Sequence, residues 1–232
     1  MKNVLITGTT KGIGLAIKNE LESSGYRVFG SGRSELIQDS YLSIDLSDTN
    51  NAKVLYDKAK EAVGEIDILI NNAGQFFYSS IEKINEEEVR KLINLNFITP
   101  CLLCSYVSED MKKNNFGRII NIGSISGVVG EAYASLYSAT KSGLSGLTKS
   151  LALELAQYNI TVNQINPGWV ETNLTNNALN EEEKEQTLDI IPQKRFIEPI
   201  EVAKLCKYLI SEDAKGLTGQ NINICAGLSC GA

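Results

Sequence analysis

The sequence contains no histidine. That absence removes Ser-His-Asp and Cys-His catalysis and the commonest transition-metal ligand together. Proton chemistry must then run through Tyr, Lys, Asp, Glu, Cys or relayed water. No apolar run approaches the roughly 18 residues that span a bilayer, and MKNVLITG enters a strand and a glycine turn at once. Neither a membrane span nor a signal peptide is expected. The five cysteines, Cys101, Cys104, Cys206, Cys225 and Cys230, are odd in number and fit neither a zinc-ribbon nor a disulfide framework. They read as buried thiols, with no metal site, in a reducing cytoplasm. Positive charge is in deficit, 22 Lys and Arg against 28 Asp and Glu, which argues against nucleic acid or an anionic membrane as partner.

What remains is an ordinary globular composition, and 232 residues can bury one large core as a single domain, residues 1–232. Strand and helix patterns alternate throughout, which predicts an α/β fold with a parallel sheet covered by helices on both faces. The expected strands are Val4–Thr7, Arg27–Ser31, Tyr41–Ile44, Asp67–Ile70, the RIINI run from Arg118, Ile160–Asn166 and Asn221–Ile224. Helices are expected over about Gly12–Ser24, Asp48–Val63 capped by Ser47, Asn85 to about Asn114 with a kink from Pro100 near Asn96, a segment ending near Tyr158, and Pro199–Ser211. The polar stretch from Asn176 to Glu198 reads as an irregular insertion.

Three motifs carry chemistry. TGTTKGIG, Thr7–Gly14, lies between the first strand and first helix, where Gly8, Gly12 and Gly14 let backbone approach a pyrophosphate at a helix N-terminus. Its G-x3-G-x-G spacing differs from the common dinucleotide fingerprint. The second strand ends Gly30-Ser31-Gly32-Arg33, and Arg33 with Lys11 suits the 2′-phosphate of NADP, whereas an acidic residue there would suit NAD. Finally, Ser124 follows the fifth strand, and Tyr137 and Lys141 sit four apart on one helical face. An ammonium there should draw the phenol below its usual pKa of about 10. Such a pair also recurs on solvated helices, so its meaning depends on the other motifs.

TGTTKGIG, NNAG (Asn71–Gly74), Ser124 with Tyr137-Ser-Ala-Thr-Lys141, and NPGWVET (Asn166–Thr172) together resemble the short-chain dehydrogenase/reductase family across essentially the whole chain. The resemblance implies a seven-stranded, doubly wound Rossmann-type sheet in three α/β/α layers. It also implies hydride transfer with NADP(H), NAD(H) remaining possible. It makes Tyr137 the acid/base, Lys141 its partner and ribose holder, Ser124 the orienter of the substrate oxygen, and Asn96 the support of a relay water, with Asn94 as runner-up. Gly8, Thr10, Lys11, Gly12, Ile13, Gly14, Ser31 and Arg33 would hold the cofactor with Tyr137 and Lys141. Asp45 and Leu46 would flank the adenine, and Asn72, Ala73 and Gly74 would pass its ribose. Pro167, Gly168, Val170 and Thr172 would meet the nicotinamide amide and diphosphate.

Residues 173–198 would form a substrate lid, with Trp169, Leu174, Leu179 and Phe196 as candidate walls. A homo-oligomer, tetramer or dimer, is implied as well. The likeness is greatest to 3-oxoacyl-(acyl-carrier-protein) reductases, as in Ile191–Ser211 and Leu217–Gly227. Asn115 and Tyr158 stand where carrier-docking members tend to be basic, and the closing LSCGA departs from the usual tail. The expected activity is NADPH-dependent reduction of a carbonyl to a secondary alcohol. An NAD(H)-dependent alcohol or sugar dehydrogenase and a non-catalytic NADP-binding sensor are the alternatives.

Overall fold

A computed structural model describes residues 1–36, 38–172, 175 and 179–230. Seven parallel strands form one sheet: β1 (Asn3–Thr7), β2 (Arg27–Gly32), β3 (Tyr41–Ser43), β4 (Ile68–Asn71), β5 (Gly117–Ile122), β6 (Ile160–Pro167) and β7 (Asn221–Ile224). Their order is β3-β2-β1-β4-β5-β6-β7. The chain winds outward from β1 to β3, then returns to lay β4 on the other side of β1. Loops at the carboxyl ends of β1 and β4 therefore diverge and leave the crevice where ligands bind in such sheets.

The two-residue period of a strand explains the two cores. Val4, Ile6, Ile68, Ile70, Ile120, Ile122 and Ile165 point to one face. There they meet Ile17 and Leu21 of α1 (Gly12–Ser23) and Val202, Cys206 and Leu209 of a late helix, Pro199–Ile210. Leu5, Leu69, Ile119 and Val162 point to the other. They pack on Leu55 and Ala59 of α2 (Asn51–Val63) and on Leu103 and Val107 of the helix Thr99–Lys113.

Three sequence expectations are corrected. Helix α2 starts at Asn51, not Asp48, and Ser47 does not cap it. Ser47 N–H donates instead to Asp45 Oδ1 (2.9 Å), and Asp48 folds Asn50 and Asn51 into a turn before the helix. The expected long helix after Asn85 is three pieces: α3 (Glu86–Ile93), a π-helical turn over Asn94–Ile98, and α4 (Thr99–Lys113). Pro100 lacks the N–H that an α-helix would aim at the Asn96 carbonyl, which accounts for the widened turn there. Asn85 does cap α3, accepting from Glu88 N–H at 3.0 Å.

After β5 come a short α5 (Ser126–Val129) and the long α6 (Ser135–Leu155), extended by a 3-10 turn to Tyr158. The stretch expected to be irregular contains a helix, α7 (Glu181–Ile190), started by a reciprocal Asn180–Glu183 capping box. Helix α8 (Pro199–Ile210) then precedes β7.

Candidate active site

At the end of β1 the chain turns through Gly8 (φ +76°) and Gly12 (φ +55°), conformations that side chains with a Cβ rarely adopt. The turn is fixed from three sides. Gly8 and Thr9 N–H both donate to the Ser31 carbonyl at 2.8 Å. The Asn72 amide donates to the Thr7 and Gly8 carbonyls (2.8 and 3.0 Å), and Thr7 Oγ1 accepts from Asn72 and Ala73 N–H. A Cβ on Gly14 would overlap the Gly8 carbonyl and the Asn72 amide. No side chain caps α1, so its first-turn N–H groups are left to an outside acceptor.

Beside this turn lies a cavity of about 470 Å³ lined by Thr10, Lys11, Arg33 and Ser34. It carries two cations and no carboxylate, which fits a phosphate-bearing ribose. The Asp45 carboxyl is held below its ordinary range, chiefly by Ser47 N–H with Arg33 and Lys91 adding. Ser31 does not line the cavity: it is fully buried, its Oγ has no partner, and its carbonyl anchors the turn. Ser34 takes that place. No sequence signal marks it, since it lies in a short unpatterned loop.

The other residues expected beside a ligand come from the ends of β3 and β6. Thr172 closes over the glycine turn, 3.3 Å from where a Cβ on Gly12 would stand. Gly168 permits close approach to Cys225, and Pro167 carbonyl accepts from Ile125 N–H at 2.9 Å. Val170 is buried and pairs with Ile197 as an isolated bridge, so its side chain serves the core, as do those of Ile13 and Leu46.

Tyr137 and Lys141 lie on α6 one turn apart, facing Ser124 at the end of β5. Lys141 is almost fully buried and donates to the Ile122 carbonyl at 2.8 Å. Its ammonium stands 5.7 Å from the centre of the Tyr137 ring. Burial pulls Lys141 down to about 8. Burial also pushes the Tyr137 phenol up to about 12; the Ser124 hydroxyl opposes this and the Glu131 carboxylate adds to it. The expectation that Lys141 draws this phenol below its ordinary value is thus corrected: burial raises the phenol, and Lys141 bonds the Ile122 carbonyl instead.

Asn96 sits fully buried in the π turn, where its side chain bridges both backbone groups of Gln75 at 2.9 Å and donates to Thr140 Oγ1 at 3.3 Å. Gly74 leaves the room: a Cβ there would lie 3.3 Å from Asn96 Oδ1 and 3.4 Å from Lys141 Nζ. Asn96 is therefore brought to the Tyr137–Lys141 helix. Asn94 donates to the Ser47 carbonyl, away from it.

Several features were not read from the sequence. Phe76 meets the Tyr137 ring edge-on at 4.9 Å, and Tyr78 and Tyr133 continue that aromatic rim outward. Ser126 and Glu131 link to Ser124 by hydrogen bonds. No periodicity marks either group, because Phe76, Tyr78, Glu131 and Tyr133 lie in loops and Ser126 opens the four-residue α5. Of the candidate walls, Phe196 is buried, while Trp169 and Leu179 pack partly buried on the same core; Leu174 lies outside the described residues. Among the described residues there is no cluster of three potential metal ligands, and no helix is long and apolar enough to cross a membrane.

Comparison with known proteins agrees with this geometry. The short chain dehydrogenase family model matches residues 2–183. The 3-oxoacyl-[acyl-carrier-protein] reductase MabA of Mycobacterium tuberculosis is 34% identical over 99% of this chain and 94% of its own. The 3-oxoacyl-[acyl-carrier-protein] reductase FabG of Haemophilus influenzae is 35% identical over 98% of each. The oxidoreductase YxjF of Bacillus subtilis, whose function is uncharacterized, is 36% identical over 96% of each. With a glycine turn on a Rossmann-type sheet, a Ser-Tyr-Lys cluster beside it and these relatives along nearly its whole length, the chain belongs to the short-chain dehydrogenase/reductase family and is an NAD(P)-dependent oxidoreductase.

Proposed function

We propose that the protein reduces the 3-oxo group of an acyl thioester to a secondary alcohol with NADPH. The observation that carries the cofactor choice is the cavity where Lys11 and Arg33 meet without a carboxylate. The names of the MabA and FabG relatives support the thioester.

When bound, the dinucleotide supplies the hydride. Gly8, Gly12 and Gly14 admit its diphosphate to the α1 N-terminus, Thr172 closes over it, and Arg33 and Lys11 take the 2′-phosphate. Tyr137, protonated at neutral pH with its phenol near 12, gives its proton to the substrate oxygen as that oxygen gains charge. Lys141 lies near enough to offset the phenolate this leaves, and Asn96 holds the Gln75 loop and α6 together behind it. Asn115 and Tyr158 lack the charge that would attract an acidic carrier, and the chain itself carries net −6, so carrier steering is weak. A homo-oligomer packed through α4 and α6 is part of the proposal, supported by Leu153 on α6, which is 85% exposed.

The test is NADPH consumption with acetoacetyl-CoA by the wild type and by Tyr137→Phe. Turnover lost by about 100-fold or more, with NADPH affinity kept within about threefold, supports the assignment. NADPH binding without turnover of any thioester, ketone or quinone would instead favour a sensor.

A further inference from the structure

We propose that Phe76, Tyr78 and Tyr133 determine specificity, and that they select a ketone whose acyl chain carries a flat aromatic ring. This deepens the proposed reaction and takes from it the place of the ketone beside Tyr137.

Aromatic residues make up 7% of the chain, yet Phe76, Phe77 and Tyr78 are consecutive in the strip that follows β4. A file of rings starts at Tyr137 and meets Phe76 edge-on at 4.9 Å. It continues to Tyr78, within 24° of parallel to Phe76 at 6.0 Å, and to Tyr133, tilted on Tyr78 at 5.5 Å. The strip is held at both ends. Asn96 takes both backbone groups of Gln75 at 2.9 Å, and Ser79 N–H donates to the Tyr133 carbonyl at 2.7 Å. The rings between are therefore placed before any ligand arrives. The fold gains little from the outer two, since Tyr78 and Tyr133 are each 59% exposed. Tyr133 also holds φ +63°, a conformation costly for a bulky side chain and free for glycine. Packing does not explain exposed rings tied across two loops, one on strained backbone, and such outliers collect at ligand sites.

Position and charge identify the occupant. The file starts at the donor of the reacting proton, so what reaches it is the substrate's own chain. Residues 75–80 and 132–136 carry no charge, and the adjoining Glu131 carboxylate is bonded to Ser126 at 2.6 Å. Neither a phosphate nor a carboxylate would be held there. Ring faces and edges reward another ring by stacking, beyond what buried area gives, whereas a saturated chain gains area alone.

The test uses two thioesters with equally reactive ketones, 3-oxo-5-phenylpentanoyl-CoA and 3-oxo-5-cyclohexylpentanoyl-CoA. Their rings bury similar apolar area, but only the phenyl ring is flat. Binding is measured by calorimetry on the enzyme saturated with NADP+, which has no hydride to give the ketone. The wild type should prefer the phenyl ligand about threefold to tenfold. Tyr78→Phe, which keeps the ring, should keep that preference within about twofold, whereas Tyr78→Leu, apolar but not flat, should lose it. Tyr133→Gly should also reduce the preference, with a Tm within about 2 °C of wild type, because glycine adopts this φ freely.

Binding of neither thioester, no phenyl preference in the wild type, or a preference that Tyr78→Leu and Tyr133→Gly leave intact overturns the proposal. So does a change of mass by light scattering in these variants with the preference unchanged, which would assign the rings to contact with a second copy. Turnover with NADPH is read separately. Thioesters bound with phenyl preference but never reduced would overturn the proposed reduction and leave ring selection standing. Reduction of acetoacetyl-CoA without any phenyl preference would overturn ring selection alone.

Discussion

Lys141 hydrogen-bonds the Ile122 carbonyl, not Tyr137, although the two side chains share one face of α6. The lysine is thus clamped to the end of β5 beside the phenol, buried and held down to about 8. Its folded value lies below the ordinary 10.5, so the unfolded chain binds more protons between about pH 8 and 10.5. Stability rises with pH through that window, and the penalty of burying the charge is fully present below it. Lys141→Met should therefore stabilise the protein at pH 7 by about 1–2 kcal/mol, after the lost Ile122 bond is counted. Its Tm should rise by about 2–6 °C, with the gain fading by pH 10, while turnover falls at least about 100-fold. Thermal melts at the two pH values check this, and a lower Tm at pH 7 contradicts it.

A second buried charge behaves in the opposite sense. Asp110 on α4 accepts from Tyr56 Oη at 2.5 Å and from Lys60 Nζ at 2.6 Å, both on α2. Burial raises its carboxyl, but the Lys60 and Tyr56 hydrogen bonds together outweigh that and hold it below its ordinary value. Its contribution is present above the unfolded value of about 4 and is lost as pH falls through the lower folded one. Asp110→Asn should cost about 2–3 kcal/mol at pH 7 and much less at pH 3. Urea denaturation at both pH values measures the difference, and parallel losses would show that the ion pair is not responsible.

The sheet was legible because its strands are short, apolar and bounded by glycine and asparagine turns, as with Val4–Thr7 before Gly8 and Ile68–Ile70 before Asn71. The Ser124, Tyr137 and Lys141 positions were legible because side-chain spacing on a helix is fixed by its geometry. What the sequence hid was set by tertiary context. Lys141 and Tyr137 ionise according to burial, which spacing does not report. Ser34, Phe76 and Glu131 lie in loops, where no period constrains a side chain's direction, and Ser126 opens a helix of only four residues. The α7 helix has too few apolar residues to show a helical period, and only its capping box, Asn180 with Glu183, marks it in the sequence.

Gly14 illustrates how closely the cofactor turn is packed. A Cβ there would overlap backbone oxygen and the Asn72 amide, neither of which can move without opening the turn. Gly14→Ala should lose about 3 kcal/mol or more and abolish dinucleotide binding. Gly146→Ala on α6 is the control: nothing lies within 4 Å of its Cβ, so it should be neutral or stabilise by up to about 1 kcal/mol. Comparable losses in both would mean that helix glycines matter here for a reason other than the turn.

The proposed choice of NADPH over NADH rests on Arg33. It lines the cavity with Lys11, while Ser31 behind it is fully buried and the nearest acid in sequence, Glu35, does not line the cavity. A ribose 2′-phosphate brought there would gain a charge-assisted contact from the guanidinium that a 2′-hydroxyl cannot use fully. Arg33→Ala should weaken NADPH about 30-fold to 100-fold, equivalent to roughly 2–3 kcal/mol, and change NADH by less than about threefold. Fluorescence titration of the two reduced cofactors against wild type and variant reads this directly. If both weaken equally, Arg33 supports the β2 loop and does not hold the phosphate, and the proposed preference for NADPH loses Arg33 as its basis. The salt dependence separates these cases further: a phosphate contact at this exposed mouth weakens as ionic strength rises, whereas loop support does not.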